Sequence, residues 1–263
     1  MNETMKIRHF KPLISGLLTH FKFSPKFLSV FIAFKRFTKE ANAFIAQGGK
    51  IDSFAPRLFD YEAESGTMSG AYFHHDLLIA QSIFLKSPKS HVDIGSRIDG
   101  FVAHVASFRE IVIFDIREFS QSDHPNIVFH QVDFMNHLKI PTNYADSVSC
   151  LNTLEHFGLG RYNDPLDPNG HIKGFHNLVS ILKIKGTMYV SIPVSMKPKL
   201  HFNSHRIFHP NEIFTWVPNE NKMKLERFDY VNDQGRLYKN MEIDKIPWED
   251  EMGHGIYTFT KLI

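Results

Sequence analysis

The sequence predicts an α/β fold in which short strands and helices alternate around a mainly parallel sheet. From residue 90 onward, β-type apolar runs alternate with helical stretches, which is the pattern of strands joined by crossover helices. The apolar run at 91–94 leads into a glycine-bearing turn with an apolar helical stretch behind it. The chain has 263 residues, 43% hydrophobic and 22% charged, which is sufficient for one large domain with a buried core.

Each element is predicted from its own run of residues. A helix that begins near Tyr72 and ends before Pro88 precedes the first strand. Two late runs, 225–231 and 255–262, have no helical segment between them, so we expect an antiparallel hairpin at the end of the sheet. The parallel strands are expected at 91–94, 111–115, 127–131, 147–151 and 187–192.

The N-terminal part of the chain is distinctly basic. Apolar residues interleaved with lysines over about 24–47 predict an amphipathic helix, with Ser24-Pro25 at its start and Gly48-Gly49 at its end. We therefore divide the chain into a basic helical extension, 1–70, and an α/β domain, 71–263. The helix either packs as a cap with its lysines in solvent or contacts an anionic membrane surface, and we favour the cap.

Composition narrows the classes of partner and compartment. The formal net charge of +2 gives no reason to expect a nucleic-acid partner. Cys150 is the only cysteine, so an internal disulfide is excluded and a reducing cytosol is the natural compartment. No apolar run has the length of a membrane span, and the first residues lack the features of a signal peptide. We expect a cytoplasmic protein whose N-terminal helix is the candidate for peripheral membrane contact.

The turn after the first strand has the composition of a ligand-binding loop. Small residues, namely Gly95, Ser96 and Gly100, allow backbone N–H groups to approach a ligand at the start of the following helix. Asp93, at the end of the strand, could order this loop or bind a ligand amine. The three-glycine fingerprint of nicotinamide dehydrogenases is absent, which makes that class less favoured.

The next two strands also end in acidic residues. Asp115 follows the second strand, where an acid in a nucleotide-type site binds ribose hydroxyls. Asp133 follows the third strand and could accept from an adenine amino group, while Phe134 packs against the ring. The order and spacing of these acids predict a cofactor site at one edge of the sheet.

These segments resemble the class I S-adenosylmethionine-dependent methyltransferases over about 70–263. The first motif reads Asp93-Ile-Gly95-Ser96-Arg97-Ile98-Asp99-Gly100, with Arg97 where that family commonly has a glycine. The fourth strand is followed by Leu154-Glu155-His156, and Gly186 precedes the fifth. The resemblance implies S-adenosylmethionine as cofactor. It also implies a Rossmann-like, doubly wound, seven-stranded sheet of order 3-2-1-4-5-7-6, with an antiparallel last strand.

A narrower resemblance is to a family of unknown function, known from nematode and bacterial genomes and related to these methyltransferases. It rests on Tyr72-Phe-x-x-Asp76-Leu, on Asp93 to Phe101, on Glu155 to Gly170 and on Gly255 to Lys261. No substrate is established for that family, so this resemblance bears on the fold more than on the reaction.

The polar loop after the fourth strand is the candidate for chemistry. His156 is the candidate general base, because an imidazole can take a hydroxyl proton as the methyl group arrives. Arg161 could bind an anionic group of the acceptor, and Asp164 and Asp167 could order the loop, bind sugar hydroxyls or contact a divalent cation. The alternative is a rigid turn in which His156 is hydrogen-bonded structurally.

Two further groups are candidates for acceptor contacts. His201, His205 and His209 recur every four residues, but the flanking prolines and Asn203-Ser204 favour a turn, so no zinc site is expected. The resemblance implies that His205 and Arg206 face the acceptor. Tyr72 and Asp76 share a helix face and either close over the ligands or form a structural pair.

We therefore expect transfer of a methyl group to a hydroxyl of a carbohydrate or sugar-derived acceptor, a small molecule or a glycan. Two alternatives stay open. One is a Rossmann-like enzyme of different chemistry, such as sugar transfer or metal-assisted hydrolysis. The other is a non-catalytic binding protein on the same fold.

Overall fold

The computed structural model describes residues 26–119, 122–246, 248 and 251–263. The predicted helix start at Ser24-Pro25 lies outside the described residues, as do Lys6, Arg8, Lys11 and Lys22 of the basic N-terminal segment. Contacts between residues divide the chain into two units, Met1–Thr67 and Met68–Ile263.

The first unit contains helix α1, Lys26–Ala46, which lies within the predicted range. It is followed by Gly48, whose φ of +91° suits glycine at the end of a helix. Arg36 forms an ion pair with Glu40 at 2.8 Å, and the Tyr61 hydroxyl donates to the same carboxylate at 2.9 Å. Among the helices that the structure describes, none is long and apolar enough to cross a membrane. Contact of α1 with a membrane surface stays a prediction.

The second unit is built on a sheet whose first four strands are parallel. They are β1 (His91–Ile94), β2 (Ile111–Asp115), β3 (Ile127–Gln131) and β4 (Ala145–Leu151). β1 lies at the centre of this group, paired with β2 on one side and with β4 on the other. The carboxyl ends of these strands therefore meet at one edge of the sheet.

The other half of the sheet ends in antiparallel strands. β5 (Leu182–Val194) is parallel to β4, and β10 (Gly253–Lys261) runs antiparallel between β5 and β8 (Met223–Val231). Over the described residues the order is β3-β2-β1-β4-β5-β10-β8-β9, where β9 is the two-residue strand Leu237–Tyr238. The fold class and the antiparallel ending are confirmed, with β10 and β8 in the places of the predicted seventh and sixth strands, whereas the order differs in detail because β9 extends it. The predicted number of strands is too low by one, because β9 is too short to give a periodic signal.

Helices cover both faces of this sheet, as in a doubly wound fold. α2 (Ala71–Lys86) and the short α3 (Ala103–Ala106) bury Ile79, Ile83 and Val105 in one apolar cluster. α4 (Gly170–Ile181) buries Phe175 and Leu178 in the cluster on the other face. A wide helical turn, Ile98–Val102, precedes α3 in place of a regular first turn.

A small hairpin stands beside the main sheet. Its strands are β6 (Lys199–His201) and β7 (His205–Ile207), joined by a turn in which Asn203 has a φ of +60°. The segment with four-residue histidine spacing is therefore extended. His201 and His205 face each other across the hairpin, with their ring centroids 5.1 Å apart.

Candidate functional site

A cavity of about 260 Å³ lies at the carboxyl ends of the parallel strands. Its wall includes Gly95 after β1, Asp115 at the end of β2, Asp133 after β3 and Asn152 after β4. The cavity brings together nine of the residues that the sequence singles out: Tyr72, Gly95, Asp115, Asp133, Phe134, His156, Arg161, Asp164 and His205.

Asp93 and Ser96 order the loop after β1 from behind the cavity wall. Ser96 donates to Asp93 through its backbone N–H at 3.0 Å and its hydroxyl at 2.7 Å, and the Ser149 hydroxyl donates at 2.5 Å. Burial raises the pKa of the Asp93 carboxyl to about 6, and these hydrogen bonds oppose the shift. Neither residue lines the cavity, and their contact with a cofactor stays a prediction. Of the two roles considered for Asp93, the structure shows loop ordering.

Gly95 is the point where this loop comes closest to the chain after β4. Its φ is +68°, and its N–H donates to the Phe114 carbonyl at 3.0 Å. A Cβ at this position would lie 2.5 Å from the Thr153 Cγ2 atom, closer than non-bonded carbons approach. Glycine is thus needed here both for its backbone conformation and for its small size.

Gly100 and Asp76 form a second buried contact behind the cavity. A Cβ on Gly100 would lie 2.7 Å from Asp76 Oδ2, and the backbone N–H of Phe101 donates to the Asp76 carboxylate. Burial, followed by the negative charge of Asp93, raises the pKa of Asp76 to about 7. Neither Gly100 nor Asp76 lines the cavity, because the carboxylate faces the turn before α3. The predicted pair is thus divided, since Tyr72 reaches the cavity and Asp76 does not.

Asp115 is held by an ion pair that sequence reasoning missed. Arg117 Nε donates to Asp115 Oδ1 at 2.9 Å, and the Arg117 guanidinium also contacts Oδ2. The same guanidinium lies 4.9 Å from the centroid of the Tyr162 ring. The Arg117 backbone N–H also donates to Asp115 Oδ1 at 2.9 Å, so three N–H groups of Arg117 leave about one of the four acceptor positions of the carboxylate for a ligand hydroxyl. In the sequence, the feature that could have predicted this ion pair is the basic residue two positions after the acid at the end of β2.

The segment after β3 presents one carboxylate and one fixed aromatic ring. Asp133 Oδ1 accepts from the Met135 backbone N–H at 3.0 Å. Phe134 is buried, its ring centroid lies 6.2 Å from that of Phe114, and its carbonyl accepts from Asn177 of α4 at 2.7 Å. These contacts fix the apolar side of the cavity.

His156 is held in one tautomer by the β6–β7 hairpin. Its Nδ1 lies 2.6 Å from the Ser204 carbonyl oxygen. Because a carbonyl only accepts, Nδ1 carries the hydrogen and Nε2 keeps its lone pair. Burial lowers the pKa of the imidazole to about 4, and the Ser204 hydrogen bond opposes this shift. The ring is therefore neutral near pH 7.

Arg161 and Asp164 belong to the loop beyond His156. Arg161 donates to the Ser204 carbonyl at 3.3 Å and lies 5.2 Å from the Tyr162 ring centroid. Asp164 accepts from the Gly158 N–H at 2.7 Å and from the Tyr162 N–H at 3.1 Å. Both Asp164 oxygens therefore order the loop, although the residue lines the cavity.

Arg206 stabilises this loop through hydrogen bonds to its backbone. It is 7% exposed and donates to the carbonyls of Phe157 at 2.6 Å and of Pro168 at 3.2 Å, with longer contacts to those of Glu155 and Asp167. All of these contacts are to backbone oxygens, and Arg206 does not line the cavity. Its predicted contact with the acceptor stays a prediction, and the structure shows it bonded to the loop. Its neighbour His205 does line the cavity.

Asp167, like Asp164, makes contacts that order the loop. Its carboxylate accepts from the Asn169 N–H at 2.9 Å and pairs with Lys173 at 2.5 Å. In the part of the chain that the structure describes, no three His, Cys, Asp or Glu side chains converge as a metal site would require.

Glu155 is the second cavity residue without a role in the sequence argument. It is 2% exposed, and within the described residues its Oε2 atom has no hydrogen-bond partner. Burial raises the pKa of this carboxyl to about 8. Its position directly before the candidate base, in Leu154-Glu155-His156, was the available signal.

Comparisons with known proteins agree with this architecture. A family model described as a Caenorhabditis protein of unknown function, DUF268, matches residues 105–217. The structure of the [4+2]-cyclase SpnF superposes with a TM-score of 0.50 and 14% identity, covering 76% of this chain and 86% of the cyclase. A Galdieria sulphuraria protein assigned as a sarcosine dimethylglycine methyltransferase gives a TM-score of 0.50 and 11% identity, covering 72% and 85%. No curated protein sequence matches significantly.

The fold is that of the class I methyltransferases. Both resemblances drawn from the sequence motifs, to these enzymes and to the nematode family of unknown function, are confirmed. At identities this low the structural likeness shows the fold alone. One of the two neighbours is a cyclase, so the class I fold does not by itself fix the reaction.

The cavity residues of this class I fold fit a nucleotide-type cofactor. Acidic side chains lie at the ends of β2 and β3, the loop after β1 turns through Gly95, and Phe134 supplies an apolar wall. Glu155 adds a buried oxygen atom that has no hydrogen-bond partner in the described part of the chain. The Arg117 ion pair with Asp115 is the feature that such a cofactor would have to accommodate.

Proposed function

We propose that the chain is an S-adenosylmethionine-dependent methyltransferase that methylates a hydroxyl of a carbohydrate or sugar-derived acceptor. The observation that carries the proposal is the cavity itself. It joins acids at the ends of β2 and β3 to a neutral histidine with a free nitrogen lone pair. This combination suits a nucleoside-bearing cofactor on one side and a protic acceptor on the other.

The cofactor side of the cavity is made by residues that follow three neighbouring strands. Asp115 would bind ribose hydroxyls, and Asp133 and Phe134 would bind the base, with Gly95 allowing close approach of the backbone. When bound, S-adenosylmethionine supplies an electrophilic methyl group on a sulfonium. The protein contributes alignment of the acceptor with that methyl group.

His156 is the residue that accepts the acceptor's proton. Its Nδ1–H is committed to the Ser204 carbonyl, which orients Nε2 and leaves its lone pair available. Because its pKa is about 4, the imidazole is unprotonated near pH 7. His156 therefore needs no prior loss of a proton before it can act.

The acceptor side is polar and carries positive charge. Arg161 presents guanidinium N–H donors, while Tyr72 and His205 offer further hydrogen-bonding groups. Donors of this kind suit sugar hydroxyls, and the planar guanidinium also suits a phosphate or carboxylate on the same acceptor. A carbohydrate, or a sugar joined to an anionic carrier, satisfies both preferences.

One observation favours a second candidate, an enzyme of different chemistry in the same cavity. Arg117 neutralises the acid that would bind the ribose hydroxyls, and an arginine there also suits a ligand with an anionic group. The cyclase among the structural neighbours shows that this fold supports other reactions. This candidate predicts no binding of S-adenosylmethionine.

The test is calorimetric titration with S-adenosylmethionine and S-adenosylhomocysteine. We expect both to bind the wild-type protein, and Asp115→Asn to weaken both by about tenfold or more through loss of charged hydrogen bonds. The matched control is Asp123→Asn, at an exposed carboxylate, which should bind as the wild type does. Absence of binding to either ligand by folded protein would defeat the methyltransferase proposal in favour of the second candidate.

The acceptor class requires a separate assay. The protein is incubated with methyl-labelled S-adenosylmethionine and, in turn, with nucleotide sugars, oligosaccharides, protein and nucleic acid. Labelling of a sugar acceptor is expected. Labelling of protein or nucleic acid alone would contradict the carbohydrate assignment and leave the cofactor assignment intact.

A further inference from the structure

Glu155 is a buried acid of the cavity wall, and its surroundings favour a positively charged ligand beside it. It lines the cavity, yet it is 2% exposed, and its Oε2 atom has no partner among the described residues. Its Oε1 atom lies 3.8 Å from His156 Nε2, beyond hydrogen-bonding distance. A carboxyl held in this way is costly when ionised and unpaired.

The surroundings provide little compensation for a negative charge. The backbone N–H of Glu155 itself and, to a smaller extent, Arg161 favour the ionised form, but the Arg161 guanidinium is largely exposed to solvent. His156 and His254 have pKa values lowered to about 4 and are neutral near pH 7. The charge of Glu155 also interacts with the hydroxyl of Tyr72 and the thiol of Cys150. Arg117, Tyr162 and His205 line the same cavity.

We propose that Glu155 provides the negative charge that binds a cationic group in the cavity. Its carboxylic acid is neutral in the ligand-free protein and loses its proton when a cationic group, a sulfonium or an ammonium, enters the cavity. The identity of the cation as S-adenosylmethionine rests on the proposed function. The residue would thereby distinguish a positively charged cofactor from its neutral thioether product.

The proton balance of this step is simple. The Glu155 O–H bond breaks, the carboxylate stays beside the cation, and one proton passes to solvent. The ligand keeps its charge, and no oxidant or further reactant is needed. Burial raises the pKa of Glu155 to about 8, and a cation beside it would favour the ionised form.

The experiment counts protons released on binding. Wild-type protein is titrated at pH 7 with S-adenosylmethionine and with S-adenosylhomocysteine, in two buffers of different ionisation enthalpy. We expect close to one proton to be released for S-adenosylmethionine and much less for the thioether, which differs only at sulfur. Below the pKa of Glu155, the preference for S-adenosylmethionine should rise with pH by about tenfold per unit.

Glu155→Gln keeps the shape of the side chain and removes its charge. In this variant both the proton release and the pH dependence should fall to the level seen with the thioether. Glu110→Gln, at an exposed carboxylate, is the matched control and should behave as the wild type does. Infrared difference spectra of wild-type protein give a second measurement that needs no variant. A protonated-carboxyl band should be lost with S-adenosylmethionine and retained with the thioether.

The outcomes separate the two proposals. Binding of both ligands with equal proton release, or release that persists in Glu155→Gln, would overturn the role of Glu155 and leave the proposed function standing. Failure of folded wild-type protein to bind either ligand would overturn both.

Discussion

His156 shows how one backbone contact determines the chemistry of a side chain. The Ser204 carbonyl fixes the hydrogen on Nδ1, and burial holds the imidazole neutral. Nitrogen-detected NMR should therefore find His156 as the Nδ1–H tautomer at pH 7, with titration only near pH 4. The exposed His176 on α4 serves as the internal reference in the same spectra. An Nε2–H tautomer at His156 would contradict the proposed base.

Arg206 and Arg161 are both arginines near the polar loop, but they have different roles. Arg206 donates to four backbone carbonyls, so Arg206→Ala should lower the free energy of unfolding by about 2–4 kcal/mol. Arg161 is exposed, and Arg161→Ala should change the free energy of unfolding by no more than about 0.5 kcal/mol. Denaturant unfolding of the two variants, measured side by side, checks this. Equal losses of stability would contradict the division of roles.

At the scale of residues, sequence reasoning located the site better than it assigned its members. The strand-end acids Asp115 and Asp133 could be found because they follow apolar runs at regular intervals. The hydrogen bonds of Arg206 to the loop could not be predicted, because its partners are backbone carbonyls about forty residues away in sequence. The protonation of Glu155 depends on burial by distant segments, which no local pattern reports.

Among the elements, the loop after β1 depends most on a single glycine. Gly95 has a φ of +68°, and a Cβ added to it would lie only 2.5 Å from Thr153 Cγ2. Gly95→Ala should lower the free energy of unfolding by about 2–4 kcal/mol, from backbone strain and from steric overlap.

A double-mutant cycle separates these two causes. Thr153→Ser removes the methyl group in the way, so in the double variant the overlap is relieved and the backbone strain remains. We expect a coupling free energy of about 1 kcal/mol from denaturant midpoints. Strict additivity of the two substitutions would show that the loop moves away from Thr153.

The elements that could be predicted are those with a long periodic signal. The parallel strands and α2 lie close to their predicted ranges, because apolar runs bounded by turn residues are local features. The turn Ile98–Val102 is irregular at Gly100, and the buried Asp76 carboxylate lies directly beside that glycine. That contact joins residues more than twenty positions apart and is invisible to periodicity.

For the molecule as a whole, the buried titratable groups predict how stability depends on pH. Burial lowers the pKa of five histidines to about 4 or below and raises that of three carboxyls. In the unfolded chain these histidines take up protons near pH 6.5, whereas in the folded protein they stay neutral to about pH 4 or below. The histidines are His75 and His91, with pKa values of about 3, and His156, His171 and His254, with values of about 4.

The carboxyls act in the opposite sense. Asp93, Asp76 and Glu155 have folded pKa values of about 6, 7 and 8, all above their unfolded values. Their contribution to stability is full at low pH and is lost as pH rises through the folded values. Between pH 4 and 6.5 the histidines outnumber the carboxyls, so the unfolded state binds more protons and stability rises with pH. As pH rises past 6.5 the unfolded histidines lose their protons while Asp76 and Glu155 of the folded protein still hold theirs, so stability falls above about pH 7.

The free energy of unfolding should therefore pass through a maximum between about pH 6.5 and 7. Denaturant midpoints measured from pH 5 to 8.5 check this expectation. Glu155→Gln cannot ionise, so in this variant the rise from pH 5 should become steeper and the decline above pH 7 shallower. Glu110→Gln, at an exposed carboxylate, should follow the wild-type curve on both sides. A midpoint that keeps rising through pH 8.5 in the wild type would mean that Glu155 and Asp76 are ionised in the folded protein. The fall in stability above pH 7 therefore tests, without any ligand, whether Glu155 is neutral in the folded protein. The proposed recognition of a cationic ligand depends on that neutral form.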